Sequence, residues 1–192
     1  LSSVQGAVFH PDDVADPGYH SQFGLRKEAL TMADMLKKVT VQVPATSANC
    51  GPGFDCLGLA CTLYNRFTYE RVPEAEGIQV EAEGQGGESL PQGRNNLAAE
   101  AFCILWEKLG KPATGLRIST RIEVPVSRGL GSSSTAIVAG LTAANALAGS
   151  PLSKEELVTE ATRIEGHPDN VAPAILGGHY CECHGRGGRW KA

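Results

Sequence analysis

The chain has 192 residues, 42% of them hydrophobic and 20% charged, with a formal net charge of -4. These proportions suit one soluble globular domain. The acidic balance excludes the basic stripe of a nucleic-acid binder, and no apolar run is long enough to span a bilayer. The first thirty residues lack the apolar core of a secretory signal, so the expected setting is the cytoplasm, with neither nucleic acid nor membrane as partner. Of the six cysteines, Cys50, Cys56, Cys61, Cys103, Cys181 and Cys183, the first three are expected to be reduced thiols. Without a secretory signal an even count does not argue for disulfides, and the first three are not at zinc-ligand spacing.

Residues 1–35 mix Pro, Gly, Asp and His without periodicity in "HPDDVADPGYHSQFG", and Met32 and Met35 stand just ahead of the first clear strand. They are expected to form a poorly ordered extension. From Lys38, "VTVQVP" alternates as a strand that Pro44 should end, and "LYNRFTYERV" and "IQVEAEG" alternate as two more. After the punctuation "GGESLPQGRN", "NLAAEAFCILWEKLG" sets Leu97, Ala101, Ile104, Leu105 and Leu109 at helical spacing, with Cys103 a small buried hydrophobe. "GLRISTRIEVP" is a fourth strand. A helix follows from about Ser133 to Ala148, and Ser153 with Glu156 forms a capping box that opens another to about Ile164. "GHPDNVAPAILGG" is a turn and a short helix. The order β–β–β–α–β–α–α predicts an α+β domain over residues 36–178, a mixed β-sheet covered by helices, with 179–192 as an atypical tail.

The stretch "PVSRGLGSSSTAIVAG", Pro125 to Gly140, passes from a glycine loop through three serines into an apolar helix. A helix start offers unpaired N–H groups and partial positive charge. Gly129 and Gly131 permit a sharp turn and close backbone approach, and Ser132, Ser133 and Ser134 add hydroxyls for phosphate oxygens or a magnesium ion. A plain turn with one serine N-cap is the commoner use of such residues, but capping needs one hydroxyl rather than three. Neither a Walker A loop nor a dinucleotide fingerprint is present. Two other loops hold polar groups with reach. "VPATSANCGPGFDCLG" carries Asn49 and Asp55, and "EGHPDNVAP" carries Glu165, His167, Asp169 and Asn170. Each of these can equally serve an Asx-turn or a helix cap. Converging on one pocket, the three loops outline phosphoryl transfer, which depends on positioning and charge neutralisation.

Together the three stretches resemble the homoserine kinases of the GHMP small-molecule kinase superfamily, over about Lys38 to Gly178. The glycine–serine turn alone marks only the superfamily; the other two stretches point to homoserine kinases over mevalonate or galactose kinases. The resemblance implies a GHMP-type N-terminal domain and ATP-dependent phosphorylation of the side-chain hydroxyl of L-homoserine, a step toward threonine. It also implies Mg²⁺ and, in the full-length form, a homodimer. By motif position Pro125, Arg128, Gly129, Leu130, Gly131, Ser132, Ser133 and Ser134 would cradle the ATP phosphates, and Asn96 would shape the adenine pocket. Ser133 would touch Mg²⁺, with Glu160 ahead of Glu165 as its carboxylate ligand. Asn49, Asp55 and His167 would hold homoserine. Asp169 and Asn170 fall at the catalytic turn, where a base role for Asp169 stays open because members of the superfamily differ on needing one.

Two departures accompany the resemblance. The family continues past Gly178 into a further strand and a C-terminal domain with arginines that grip the substrate carboxylate. This chain reads "HYCECHGRGGRWKA" instead. With the C-terminal domain missing, the apolar helix "AIVAGLTAANALAG" is expected to leave apolar surface wet, and little turnover is expected. Another GHMP kinase acting on a different alcohol, or a catalytically dead nucleotide-binding module, are the alternatives. His179, Cys181, Cys183 and His184 suggest a metal, but Cys181 and Cys183 are too close in sequence for paired zinc ligands.

Overall fold

A computed structural model describes residues 8–11, 36–48 and 57–181 of the chain. Its strands are β1 (Val8–Pro11), β2 (Lys38–Ala48), β3 (Leu57–Val72), β4 (Ile78–Gly84), β5 (Gly115–Ile122) and β6 (His179–Cys181). Its helices are α1 (Leu97–Lys108), α2 (Ser132–Leu147), α3 (Lys154–Glu165) and α4 (Val171–Leu176). The strands form one mixed sheet in the order β1-β2-β3-β5-β4, with β6 also pairing β3. Only β4 and β5 run parallel, and α1 lies between them in the chain. The fold is α+β, as the pattern of elements predicts.

Period-two alternation decides which face is covered. Along β5, Leu116, Ile118, Thr120 and Ile122 are buried while Arg117, Ser119 and Arg121 point the other way. Val39, Val41, Val43, Phe67, Tyr69 and Val80 join the buried face. The opposite face is polar, with Arg117 paired to Glu70 and Glu76 at 3.6 and 3.3 Å and Thr40 bonded to Thr68 at 3.0 Å. It therefore needs no second layer of helices.

The helices close the apolar face. Tyr69 stacks on Phe102 at 5.6 Å and Phe102 on Trp106 at 5.3 Å, joining β3 to α1. Burial pushes the Cys103 thiol upward from its ordinary range. α1 and α2 approach closely because Gly140 has no side chain: a Cβ there would lie 2.5 Å from the Ala98 carbonyl oxygen. α2 meets α1, α3, α4 and β2, so its apolar circumference finds partners within this chain. Among the described residues only Leu59, Ile104 and Val126 are exposed large hydrophobics, and the expected wet helix surface is not found. The capping box of α3 is present, with both Ser153–Glu156 bonds made.

Four local expectations change. β2 does not stop at Pro44 but continues through a bulge between Pro44 and Thr46, since a bulge absorbs a residue that cannot donate to the ladder. Ile104 faces solvent, and α1 buries Ala98, Ala99 and Phe102 in its place, the alanines allowing close approach to α2 and Phe102 stacking between Tyr69 and Trp106. Within the segment taken as an extension, Val8–Pro11 pair antiparallel with β2. Within the segment taken as a tail, His179–Cys181 pair with Leu57 to Leu59, and Tyr180 is buried.

One buried polar side chain fixes how the chain leaves the sheet. Asn65, 0% exposed on β3, accepts at Oδ1 from the N–H groups of Glu123 and Val124 at 2.8 and 2.9 Å. Its Nδ2 donates to Thr135 Oγ1 at 2.9 Å, and Thr135 Oγ1 donates to the Ser132 carbonyl at 2.7 Å. The amide thus fastens both ends of the segment between β5 and α2. Asn65→Ala leaves the Glu123 and Val124 N–H groups without their partner, each worth about 1–3 kcal/mol, so a loss of about 2–4 kcal/mol is expected in urea unfolding. A loss below about 1 kcal/mol would contradict this role.

Candidate active site

The segment released by Asn65 turns back on itself before entering α2. Ser127, Gly129 and Gly131 all have left-handed backbone angles, with φ of 57°, 70° and 63°. The two glycines are required for different reasons. A Cβ on Gly131 would sit 2.1 Å from Thr46 Oγ1, whereas one on Gly129 would meet nothing within 4 Å. Gly131 is therefore packed on β2, and Gly129 is the position where the backbone lies open to a ligand.

Gly131 is also the N-cap of α2, and no side chain caps this helix. The serines that composition would assign to capping are used elsewhere. Ser132 Oγ donates to the Val124 carbonyl at 3.4 Å. Ser134 Oγ and Ser133 Oγ donate to Glu165 Oε1 at 2.9 and 3.4 Å. First-turn N–H groups of a 16-residue helix are thereby left free of side-chain partners, with the helix dipole favouring an anion beside them.

These groups line a cleft of about 380 Å³, bounded by the loop from Val126 to Ser134 together with Ala48, Glu165 and Asn170. Asn170 ends a short polar chain. His167, half exposed, donates from Nδ1 to Asp169 Oδ1 at 2.5 Å, and Asn170 Nδ2 faces the same oxygen at 3.4 Å. Asp169 is 1% exposed, and its Oδ2 has no hydrogen-bond partner in the structure. Asn170 Oδ1 accepts from Thr46 Oγ1 at 2.8 Å.

The structure brings together Arg128, Gly129, Leu130, Gly131, Ser132, Ser133, Ser134, Glu165 and Asn170 on this cleft. Pro125 lies just upstream of the lining residues. His167 and Asp169 reach the cleft through Asn170 rather than lining it. Two other candidates lie away from this cleft. Glu160 does not line the cleft: its carboxylate pairs with Lys108 at 2.5 Å and Arg163 at 3.6 Å. Five residues of helix rotate it about 140° from Glu165, so the two carboxylates leave α3 in different directions. Asn96, expected at an adenine pocket rather than at this cleft, is the N-cap of α1: it accepts from the Ala98 N–H at 3.0 Å and donates to the Pro91 carbonyl at 3.0 Å. Asn49 and Asp55 lie outside the described residues. Sequence reasoning missed Thr46, Asn65 and Ser127. A threonine in a strand, a lone asparagine in an alternating run and a serine in a loop carry no pattern that marks them.

Among the described residues no three His, Cys, Asp or Glu side chains gather as a metal cluster. Glu165 and Ser133 nonetheless offer oxygens of the kind a hard cation takes, and Mg²⁺ is commonly held by one or two carboxylates with phosphate oxygens and water. On β6, His179 and Cys181 are both exposed, opposite Tyr180; Cys183 and His184 lie outside the described residues. Cys61 and Cys103 are free thiols. No helix among the described residues is long and apolar enough to cross a membrane.

Comparison with known proteins gives the same frame. Residues 96–178 match the GHMP kinases N terminal domain. A homoserine kinase from a Synechococcus strain is 50% identical over 153 residues, covering 80% of this chain and 50% of the relative. A homoserine kinase structure from Cytophaga hutchinsonii superposes with a TM-score of 0.68 at 30% identity, over 77% of this chain and 49% of that one. A Listeria monocytogenes structure described as a homoserine kinase gives 0.65 at 44% identity, over 77% and 50%. The chain spans about half the length of the curated relatives it matches. By these matches residues 96–178 form a GHMP kinase N-terminal domain, and most of the chain is homologous to part of the homoserine kinases.

Proposed function

We propose that this chain carries the ATP-handling part of an enzyme that moves the γ-phosphoryl group of ATP to the side-chain hydroxyl of L-homoserine, giving O-phospho-L-homoserine and ADP. The observation that supports this most is the uncapped start of α2 beneath an open glycine loop, with the Glu165 carboxylate held beside it by two serines. In that reading the free N–H groups and Arg128 bind the phosphates, and Gly129 lets them approach the backbone. Mg²⁺ would be held by Glu165 and Ser133, where it would neutralise phosphate charge. Asn170 lies at the junction of the phosphate loop and the acceptor turn, and His167, with Asn49 and Asp55, is assigned to the amino-acid substrate. A place on the route to threonine, a cytoplasmic setting and a homodimer belong to the same proposal. A second reading, nucleotide binding without turnover, is favoured by one observation: Arg128 is the only cationic side chain among the described residues that lines the cleft.

ADP release measured with and without L-homoserine separates the two readings. Homoserine-dependent release supports transfer, and saturable ATP binding with no such release supports the second reading. Where transfer is found, Glu165→Gln is expected to lower kcat by about 100-fold, the scale of a lost electrostatic group. Glu160→Gln is expected to stay within about twofold, since partly exposed ion pairs contribute little. Equal losses in both would restore Glu160 to the site. The two glycines should also separate by calorimetry and melting. Gly129→Val should weaken ATP binding more than it lowers Tm, and Gly131→Ala should lower Tm by driving a Cβ into Thr46. The reverse order would overturn the distinction.

A further inference from the structure

We propose that Thr46 is a positioning residue that sets the orientation of the Asn170 amide and ties the acceptor turn to the phosphate loop. Thr46 is fully buried and follows the bulge at Pro44. Its backbone N–H donates to the Leu130 carbonyl at 3.1 Å, and its hydroxyl donates to Asn170 Oδ1 at 2.8 Å. The same oxygen occupies the space a Cβ on Gly131 would need. One small side chain on β2 therefore touches both halves of the cleft.

The direction of the hydroxyl bond carries the argument. An asparagine amide can present either end, and its neighbours decide which. The Asp169 carboxylate only accepts, and Asn170 Nδ2 faces its Oδ1. Asn170 Oδ1 is then left to accept, and the Thr46 hydroxyl is the donor in reach. With the amide set this way, its remaining N–H is the group Asn170 can offer to an oxygen in the cleft it lines. Valine at position 46 would keep the branched shape but remove the donor. Asn170 Oδ1 would lose its partner, and the amide would lose what selects one orientation.

This inference rests on the phosphoryl-transfer reading, so its test includes an arm that does not depend on turnover. The side-chain amide of Asn170 is followed by NMR in the 192-residue chain and in its Thr46→Val and Thr46→Ser variants, alongside homoserine-dependent ADP release. The wild type and Thr46→Ser should share one sharp, exchange-protected pair of amide signals, which Thr46→Val shifts and broadens. Thr46→Val should lose about tenfold or more in kcat, as expected of a misplaced group, with the KM for ATP nearly unchanged and Thr46→Ser close to wild type. Unchanged Asn170 signals in Thr46→Val, or a Thr46→Ser variant as impaired as Thr46→Val, would overturn the proposal. Absence of turnover in the wild type would defeat the phosphoryl-transfer reading, and the amide signals would still decide the placement of Thr46. Should Thr46→Val fail to fold, Thr46→Ala against Thr46→Ser carries the same comparison.

Discussion

A loop built from left-handed residues has no ladder or helix to hold it, so its geometry must be imposed from both ends. Here one buried amide ties both ends, and the Thr46 N–H holds the Leu130 carbonyl between them. Asn65 accepts the two N–H groups that follow β5 and reaches Thr135, which in turn holds the Ser132 carbonyl. A buried amide without these partners would cost more than its bonds return, so the arrangement is satisfied as a unit or not at all. The glycine loop and the uncapped helix start follow from where Asn65 releases and recaptures the chain, and the serines of that helix start meet Glu165 from α3.

The packing of α2 serves the same end. A helix start attracts anions only where its first N–H groups are free and its axis is held still. Small residues and Gly140 let α1 lie close, while α3, α4 and β2 close the other sides. The serines turn to Glu165 instead of to their own helix, which puts a carboxylate beside a site of positive potential. A carboxylate there repels phosphate unless a cation sits between them, and that is the physical case for Mg²⁺ at this position.

Much of this was legible before the structure. Alternation located β2 to β5, the Ser153–Glu156 box marked α3 correctly, and the glycine–serine turn pointed to the cleft. What escaped had local physical causes. Pro44 reads as a stop, yet a bulge carries the strand past it. Ile104 fits a helical stripe, but close packing on Gly140 gave the buried face to alanines and Phe102. Glu160 and Glu165 share a helix, and only the phase of its last turn, fixed by the contacts of α3, shows which one faces the serines. Asn65 escaped because a polar residue acting over long sequence separation leaves no local pattern.

The central claim is that an anion, brought by a nucleotide with Mg²⁺, binds at the start of α2 under the glycine loop. Backbone amide NMR during titration with Mg²⁺ and a non-hydrolysable ATP analogue tests it most directly. The account predicts that the largest shifts fall within residues 128–134 and at Glu165, saturating together. Shifts confined to the polar outer face of the sheet, or saturable binding that leaves residues 128–134 unmoved, would contradict it.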